Sequence, residues 1–220
     1  MVTKEKLIRD YKVHESWTDD IAKLLLSEKS EALKDRLSKT FVPAKYNVFK
    51  AFSLGKKDAK VILVGQDPYC GPNAMGLSFA IPKDATLTPS LRIISKELER
   101  SGYKSISEGE RRMLLHWHSQ GVMLLNRSLT CGIGKSNSHS KEWKYFTDTI
   151  ASSLGEDIVW LLWGANAQEL EPLIKSKHIL KACHPIAEQF SGGRLKFVGC
   201  DHFNKTNAIL SSLNKKIIQW

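Results

Sequence analysis

Lys60-Val61-Ile62-Leu63-Val64 runs straight into Gly65-Gln66-Asp67-Pro68-Tyr69. The apolar part is too short and too β-branched for a helix, and it does not alternate with polar residues. Such a run reads as a strand buried on both faces, as in a parallel sheet. Three more runs have the same character: Gly121-Val122-Met123-Leu124-Leu125, Ile158-Val159-Trp160-Leu161-Leu162-Trp163, and Ile179-Leu180-Lys181-Ala182-Cys183. Amphipathic stretches at helical spacing lie between them: Leu91 to Glu99, Glu108 to Ser119, Trp143 to Leu154, and Asn166 to Lys175. This alternation predicts an α/β fold, a single domain with a central, mostly parallel four-stranded sheet flanked by helices.

Upstream of the first strand the pattern is helical. Ser16 and Asp19 are candidate N-caps for a helix through Leu26, and Lys29 to Lys39 carries Ala32, Leu33 and Leu37 at helical spacing. Proline at Pro43 ends any helix there. No repeat, linker or low-complexity tract divides the chain. Residues 1–220 are expected to form one domain, with 1–15 as a peripheral extension.

The 220 residues suit one domain with a sizeable core. The net charge of +10 favours a polyanionic partner, because each cation set against a phosphate releases a condensed counterion. Cys70, Cys131, Cys183 and Cys200 form no C-x-x-C pair, which argues against a zinc ribbon or iron–sulfur cluster and fits a reducing compartment. No apolar leader follows Met1, and no apolar run is long enough to span a membrane.

What ends each strand is informative. The first runs into Asp67, the second ends at Asn126, the third at Gly164, and the fourth at His184-Pro185. Ligands of open α/β sheets bind beyond the carboxyl ends of the strands. An acid, an amide, a glycine turn and an imidazole therefore share one edge. No second carboxylate completes a metal triad, and there is no G-x-S-x-G elbow, P-loop or dinucleotide glycine pattern. A single base with hydrogen-bonding groups remains. By themselves these residues leave open a metal site, an activated water, or a reader of a planar heterocycle.

Here a resemblance narrows the choice. Gly65-Gln66-Asp67-Pro68-Tyr69-Cys70-Gly71-Pro72 resembles the water-activating motif of family-1 uracil-DNA glycosylases. Gly76-Leu77-Ser78-Phe79, Leu124-Leu125-Asn126 with Leu129-Thr130, Asn137-Ser138-His139, Leu161-Leu162-Trp163-Gly164, His184-Pro185 and Gly199-Cys200-Asp201-His202-Phe203 follow in the family's order, out to Trp220. The resemblance covers roughly Ser16 to Trp220. It implies a monofunctional glycosylase that flips uracil out of DNA and hydrolyses its glycosidic bond in base-excision repair, with no metal or other cofactor.

It also implies roles. Asp67 orients and activates the water, and His184 donates a hydrogen bond to the departing uracil anion. Asn126 reads the Watson–Crick edge, Phe79 stacks on the ring, Tyr69 crowds the position of thymine's methyl, and Gln66 contacts the base through its backbone. Thr88-Pro89-Ser90 resembles the family's proline-rich loop, with Pro89 and Ser90 at a phosphate. Gly164 serves another phosphate, although Ala165 lacks the usual hydroxyl. His139 takes a structural or phosphate-binding role.

Three departures stand out. Cys70 replaces a histidine of the water network, and the segment to Gly76 is one residue short. After His184-Pro185, the chain reads Ile186-Ala187-Glu188-Gln189-Phe190, which removes a serine at Ile186 and puts Glu188 where the family has its apolar wedge. Phe190 is expected to enter the duplex instead. Arg194 is expected to substitute for an arginine beside this loop. These departures keep a second reading open, a weakly catalytic DNA-binding or processivity subunit. The expected partners are uracil-containing DNA, single- or double-stranded, and a protein inhibitor at the DNA groove. A monomer is expected, in the cytoplasm for a bacterial chain or the host's replication compartment for a viral one.

Overall fold

A computed structural model describes residues 3–37, 39–106, 109–190 and 196–220, with backbone alone at 110 and 188–190. Three helices come first: α1 (Lys4–Tyr11), α2 (Thr18–Leu26) and α3 (Glu31–Leu37). Strand β1 (Val61–Gly65) is followed by α4 (Pro89–Arg100), α5 (Gly109–Arg112), α6 (Leu115–Ser119) and β2 (Val122–Asn126). Then come α7 (Ser140–Ser152), β3 (Val159–Trp163), α8 (Ala165–Gln168), β4 (Ile179–Ala182) and α9 (His202–Ser212).

The sheet has the order β2-β1-β3-β4, and every pairing in it is parallel. Every residue of β1, β2 and β3 is buried, as their unbroken apolar runs require. The outer strand β4 differs: Ile179 and Leu180 are half-buried and Lys181 is exposed. A continuous apolar run thus over-reads the burial of β4, whereas β2, the other edge of the sheet, is buried throughout.

The register sets up the site. Gly65 faces Asn126 across β1 and β2, and Trp163 faces Ala182 across β3 and β4. The residues that leave these strands therefore emerge along one edge. Beneath them lies an aromatic core in which Trp17, Trp117, Trp143, Trp160 and Trp163 are almost wholly enclosed.

Several helices depart from their expected limits. The stretch expected from Glu108 to Ser119 is broken, because buried Leu114 adopts a left-handed φ of 48° between α5 and α6. After the short α8, Pro172 sits in a separate 3₁₀ turn, Glu171–Leu173, since proline cannot supply the helical N–H. Neither Ser16 nor Asp19 caps α2: a 3₁₀ turn precedes it, and Ser16 Oγ instead accepts from the Lys56 N–H at 2.9 Å. The N-terminal residues are not merely peripheral, since Leu7 and Val13 belong to the core.

Candidate functional site

At the carboxyl edge of the sheet a cavity of about 500 Å³ opens between the loops. Gln66, Asp67, Tyr69, Phe79, Asn126 and His184 all line it, so the six residues assigned to base recognition and catalysis come together.

Asn126 ends β2 and is only 4% exposed. Its Oδ1 is buried and has no hydrogen-bond partner among the described residues. A buried acceptor left unmatched costs about 1–3 kcal/mol unless something pairs with it. The amide can sit there only because its cross-strand neighbour is glycine: a Cβ on Gly65 would lie 2.6 Å from that oxygen and 2.9 Å from Ser78 Cβ.

Phe79 forms the adjoining wall. It holds a φ of 61°, a conformation that bulky residues rarely adopt. Its ring rests on Trp163 at 5.5 Å and on His184 at 5.6 Å. Trp163 is fixed in turn, because its Nε1–H donates to His202 Nδ1 at 3.0 Å. Burial pushes His202 down to about 4, which keeps it neutral and able to accept. The Asp201-His202-Phe203 motif therefore supports the aromatic wall from behind. Trp220 does similar work nearby, donating to the Phe203 carbonyl at 3.1 Å and meeting Trp117 edge-on.

Tyr69 stands across from this wall. Its hydroxyl lies 2.8 Å from Thr88 Oγ1 and 3.3 Å from the Phe79 carbonyl, so the ring is pinned at its far end. Burial raises its pKa to about 12, and the phenol stays neutral. Thr88 also accepts from the Leu91 N–H, capping α4. Pro89 opens that helix, and Ser90, next to it, reaches the cavity lining.

Asp67 lies in the loop after β1. Its Oδ2 accepts from Ser136 Oγ at 2.9 Å and from the Asn137 N–H at 2.5 Å, and its Oδ1 only a long bond of 3.4 Å from Gln66 Nε2. Gln66 Nε2 also donates to Ser136 at 3.2 Å, and the Gln66 carbonyl accepts from the Ser128 N–H at 3.0 Å. Ser136 is a site residue that sequence reasoning missed: it precedes the Asn137-Ser138-His139 motif, and only the folded loop carries it to Asp67.

His184 follows β4. Its Nδ1 accepts from the Ile186 N–H at 3.2 Å, so the neutral ring carries its proton on Nε2. Burial lowers its pKa, with Asp67 pulling the other way, and the neutral form is favoured. Gly164, at a φ of 100°, gives the ring room: a Cβ there would come within 3.0 Å of His184 Cβ.

Cys70, at the position where the resemblance implies a histidine, lines the cavity. Its Sγ lies 3.8 Å from the Pro68 carbonyl and 3.3 Å from the buried Sγ of Cys131. His139, expected at the DNA face or in a structural role, lies in the interior at 3% exposure, with Nδ1 2.8 Å from Thr130 Oγ1. That placement gives it no surface to offer a phosphate and makes it an anchor of its loop. Arg194 and the side chains of Glu188 and Phe190 lie outside the described residues. Ile186 is half-exposed at the cavity mouth.

Comparison with known proteins bears on this arrangement. The sequence model of the Uracil DNA glycosylase superfamily matches residues 52–211. A uracil-DNA glycosylase of Buchnera aphidicola is 43% identical over 195 residues, covering 85% of this chain and 87% of the relative. One from Campylobacter curvus is 40% identical over 227 residues, covering 97% and 95%. The crystal structure of mimivirus uracil-DNA glycosylase superposes with a TM-score of 0.87 at 26% identity, over all of this chain and 89% of that one. A mimivirus UNG variant of known structure is in complex with UGI.

Proposed function

The chain belongs to the uracil-DNA glycosylase superfamily, and from that premise we propose how its own residues release uracil from DNA. The activity is hydrolysis of the N-glycosidic bond of deoxyuridine, the chemistry of the relatives named above, and their names favour it over a mainly DNA-binding role.

The observation that carries the assignment is the orphaned Oδ1 of Asn126 beside the Phe79 ring. A flipped uracil laid against Phe79 presents a ring N–H to that oxygen and a carbonyl to the amide nitrogen. Cytosine presents the reverse pattern and leaves both groups unmatched. A site built around such a pair rejects the wrong base by about 10⁴-fold or more. Tyr69, pinned through Thr88, closes the side on which thymine's methyl would lie.

Bond cleavage leaves negative charge on uracil and positive charge on the sugar. Neutral His184 turns Nε2–H toward the cavity and donates to the carbonyl oxygen that gains charge. A preorganised donor of this kind stabilises the transition state by about 3–4 kcal/mol. Asp67, held through Oδ2 by Ser136 and Asn137, keeps Oδ1 for the water and places its charge against the sugar cation.

The N-terminal turn of α4 with Pro89 and Ser90, and the Gly164 turn, supply the phosphate contacts that bring the nucleotide in. Uracil-containing DNA in single- or double-stranded form is the substrate we expect, bound by a monomer. A protein inhibitor at the same groove is the second partner, a reading supported by the UGI complex of the mimivirus relative. The bacterial relatives support a cytoplasmic setting, and no helix among the described residues is long and apolar enough to cross a membrane.

A fluorescent uracil-containing oligonucleotide tests the assignment. Wild type should leave an abasic site that alkali cleaves. Asp67→Asn should lose about 10²–10⁴-fold in rate, the range for removal of a positioned acid–base group. His184→Ala should lose about 10²–10³-fold. No abasic product from wild type, or full activity in both variants, would defeat the reading.

A further inference from the structure

Beside the catalytic carboxylate lie two thiols to which uracil excision assigns no chemical step. A carboxylate oxygen of Asp67, Cys70 Sγ and Cys131 Sγ all lie within 4.8 Å of one another. We propose that these three side chains form a binding site for a soft divalent cation of the zinc and cadmium class, and that the bound ion switches excision off.

The geometry is close to what such an ion needs. Two thiolates on one tetrahedral zinc ion, each about 2.3 Å from the metal, stand about 3.8 Å apart. The two sulfurs now stand 3.3 Å apart, so a half-ångström rotation of Cys70 opens the space. Cys131 has no exposed surface, whereas Cys70 and Asp67 border the cavity. The ion therefore enters through the cavity and meets Cys131 last.

The ligands are also held in place. The Cys131 N–H and carbonyl form a two-way bridge with Val42, at 3.0 and 2.9 Å. The Cys70 carbonyl accepts from the Gly134 N–H at 2.8 Å, which ties its loop to the segment after Cys131. Asp67 is clamped by Ser136 and Asn137. Sites of this kind need little reorganisation on binding. Two sulfurs and one oxygen select zinc or cadmium over magnesium or calcium, which prefer all-oxygen sets.

Binding displaces one proton from each thiol to solvent, because coordination to a dication deprotonates a thiol outright. Three protein ligands leave a fourth position for water. The ion takes the Asp67 oxygen and neutralises its charge, so both the water contact and the stabilisation of the sugar cation are lost. The inhibitory arm rests on the role proposed for Asp67, and the binding arm does not.

The test uses reduced, chelator-stripped full-length protein titrated with cadmium ion alone. Wild type should develop the ultraviolet thiolate-to-cadmium absorption, saturating at one ion per chain. The double variant Cys183→Ser, Cys200→Ser should keep it. Cys70→Ala and Cys131→Ala should each lose about half the amplitude, as one of two thiolates goes. Their affinity should fall about tenfold or more, the least that even an outer partner of a metal site costs. Excision is then measured with and without cadmium, each protein against its own metal-free rate. Cadmium should inhibit wild type and the double variant, and excess chelator should restore them. At the same concentration it should spare Cys70→Ala and Cys131→Ala. An absorption that keeps its full amplitude and affinity in both single replacements, or that the double variant lacks, overturns the site. Saturation that leaves excision unchanged or faster overturns the switch. If metal-free wild type releases no uracil, the functional assignment fails, and the absorption titration still decides the site.

Discussion

The two walls of the cavity are built differently. The wall that reads the base grows out of the sheet: Asn126 is the last residue of β2, Gly65 faces it in register, and Phe79 leans on Trp163 from β3. Every one of these groups is buried. The wall that handles water is made of loops: Asp67, Cys70 and Ser136 sit on turns, tied together by hydrogen bonds across about seventy residues. Recognition is thus fixed by strand register and close packing, and catalysis by polar contacts between loops. Packing tolerates change poorly, because a shift of one methyl group is felt throughout a close-packed wall. A loop network can exchange a member, as the cysteine at position 70 illustrates.

The sharpest way to break this contrast is Gly65→Ala. The new Cβ would lie 2.6 Å from Asn126 Oδ1 and 2.9 Å from Ser78 Cβ, so one of these buried side chains has to shift. Overpacking of this kind costs about 1–3 kcal/mol. We expect that loss in stability, and a fall of about 10²-fold in excision as the reading amide is displaced, a 1 Å misplacement being able to cost that much. Denaturant melts and single-turnover rates check both. An unperturbed rate would mean that the base-reading wall is as tolerant as the loop wall.

A smaller effect is expected on the loop side. Cys70→His returns to the water network a group that can both donate and accept. One added hydrogen bond is worth about 0.5–1.5 kcal/mol, so the single-turnover rate should rise by about tenfold or less. A large loss would show that this wall is as closely packed as the other.

The most gradual effect concerns pH. His202 behind the aromatic wall has an ordinary value of 6.5, lowered by burial to about 4. A base held neutral in the fold but free to protonate when unfolded gives stability that is full above pH 6.5. That stability is lost as pH falls toward 4. The loss is at most about 1.4 kcal/mol per pH unit for this group. His202→Asn, which keeps an acceptor for Trp163, should flatten urea-measured stability across that window. An identical slope in both proteins would remove His202 from the account.

Much of this was legible in the sequence. The strands declared themselves because fully buried strands need unbroken apolar runs, and the site followed from what stands at their ends. The places that were not legible are those where tertiary contacts overrule local pattern. Nothing near Leu114 announces a left-handed residue inside a helical stretch. Nothing in the apolar run of β4 sets it apart from β2, yet of these two edge strands only β2 is buried throughout. The sequence leaves His139 between a structural and a phosphate-binding role, and its buried place against Thr130 is a tertiary contact. Cys70 and Cys131 lie 61 residues apart, so no spacing rule could place their sulfurs together.

The central claim is that the lone oxygen of Asn126 reads uracil, and calorimetric titration of wild type and Asn126→Ala with free uracil and free cytosine tests it most directly. Wild type should bind uracil saturably and cytosine not measurably, and Asn126→Ala should lose uracil binding. Equal binding of the two bases, or uracil binding that survives the replacement, would contradict it.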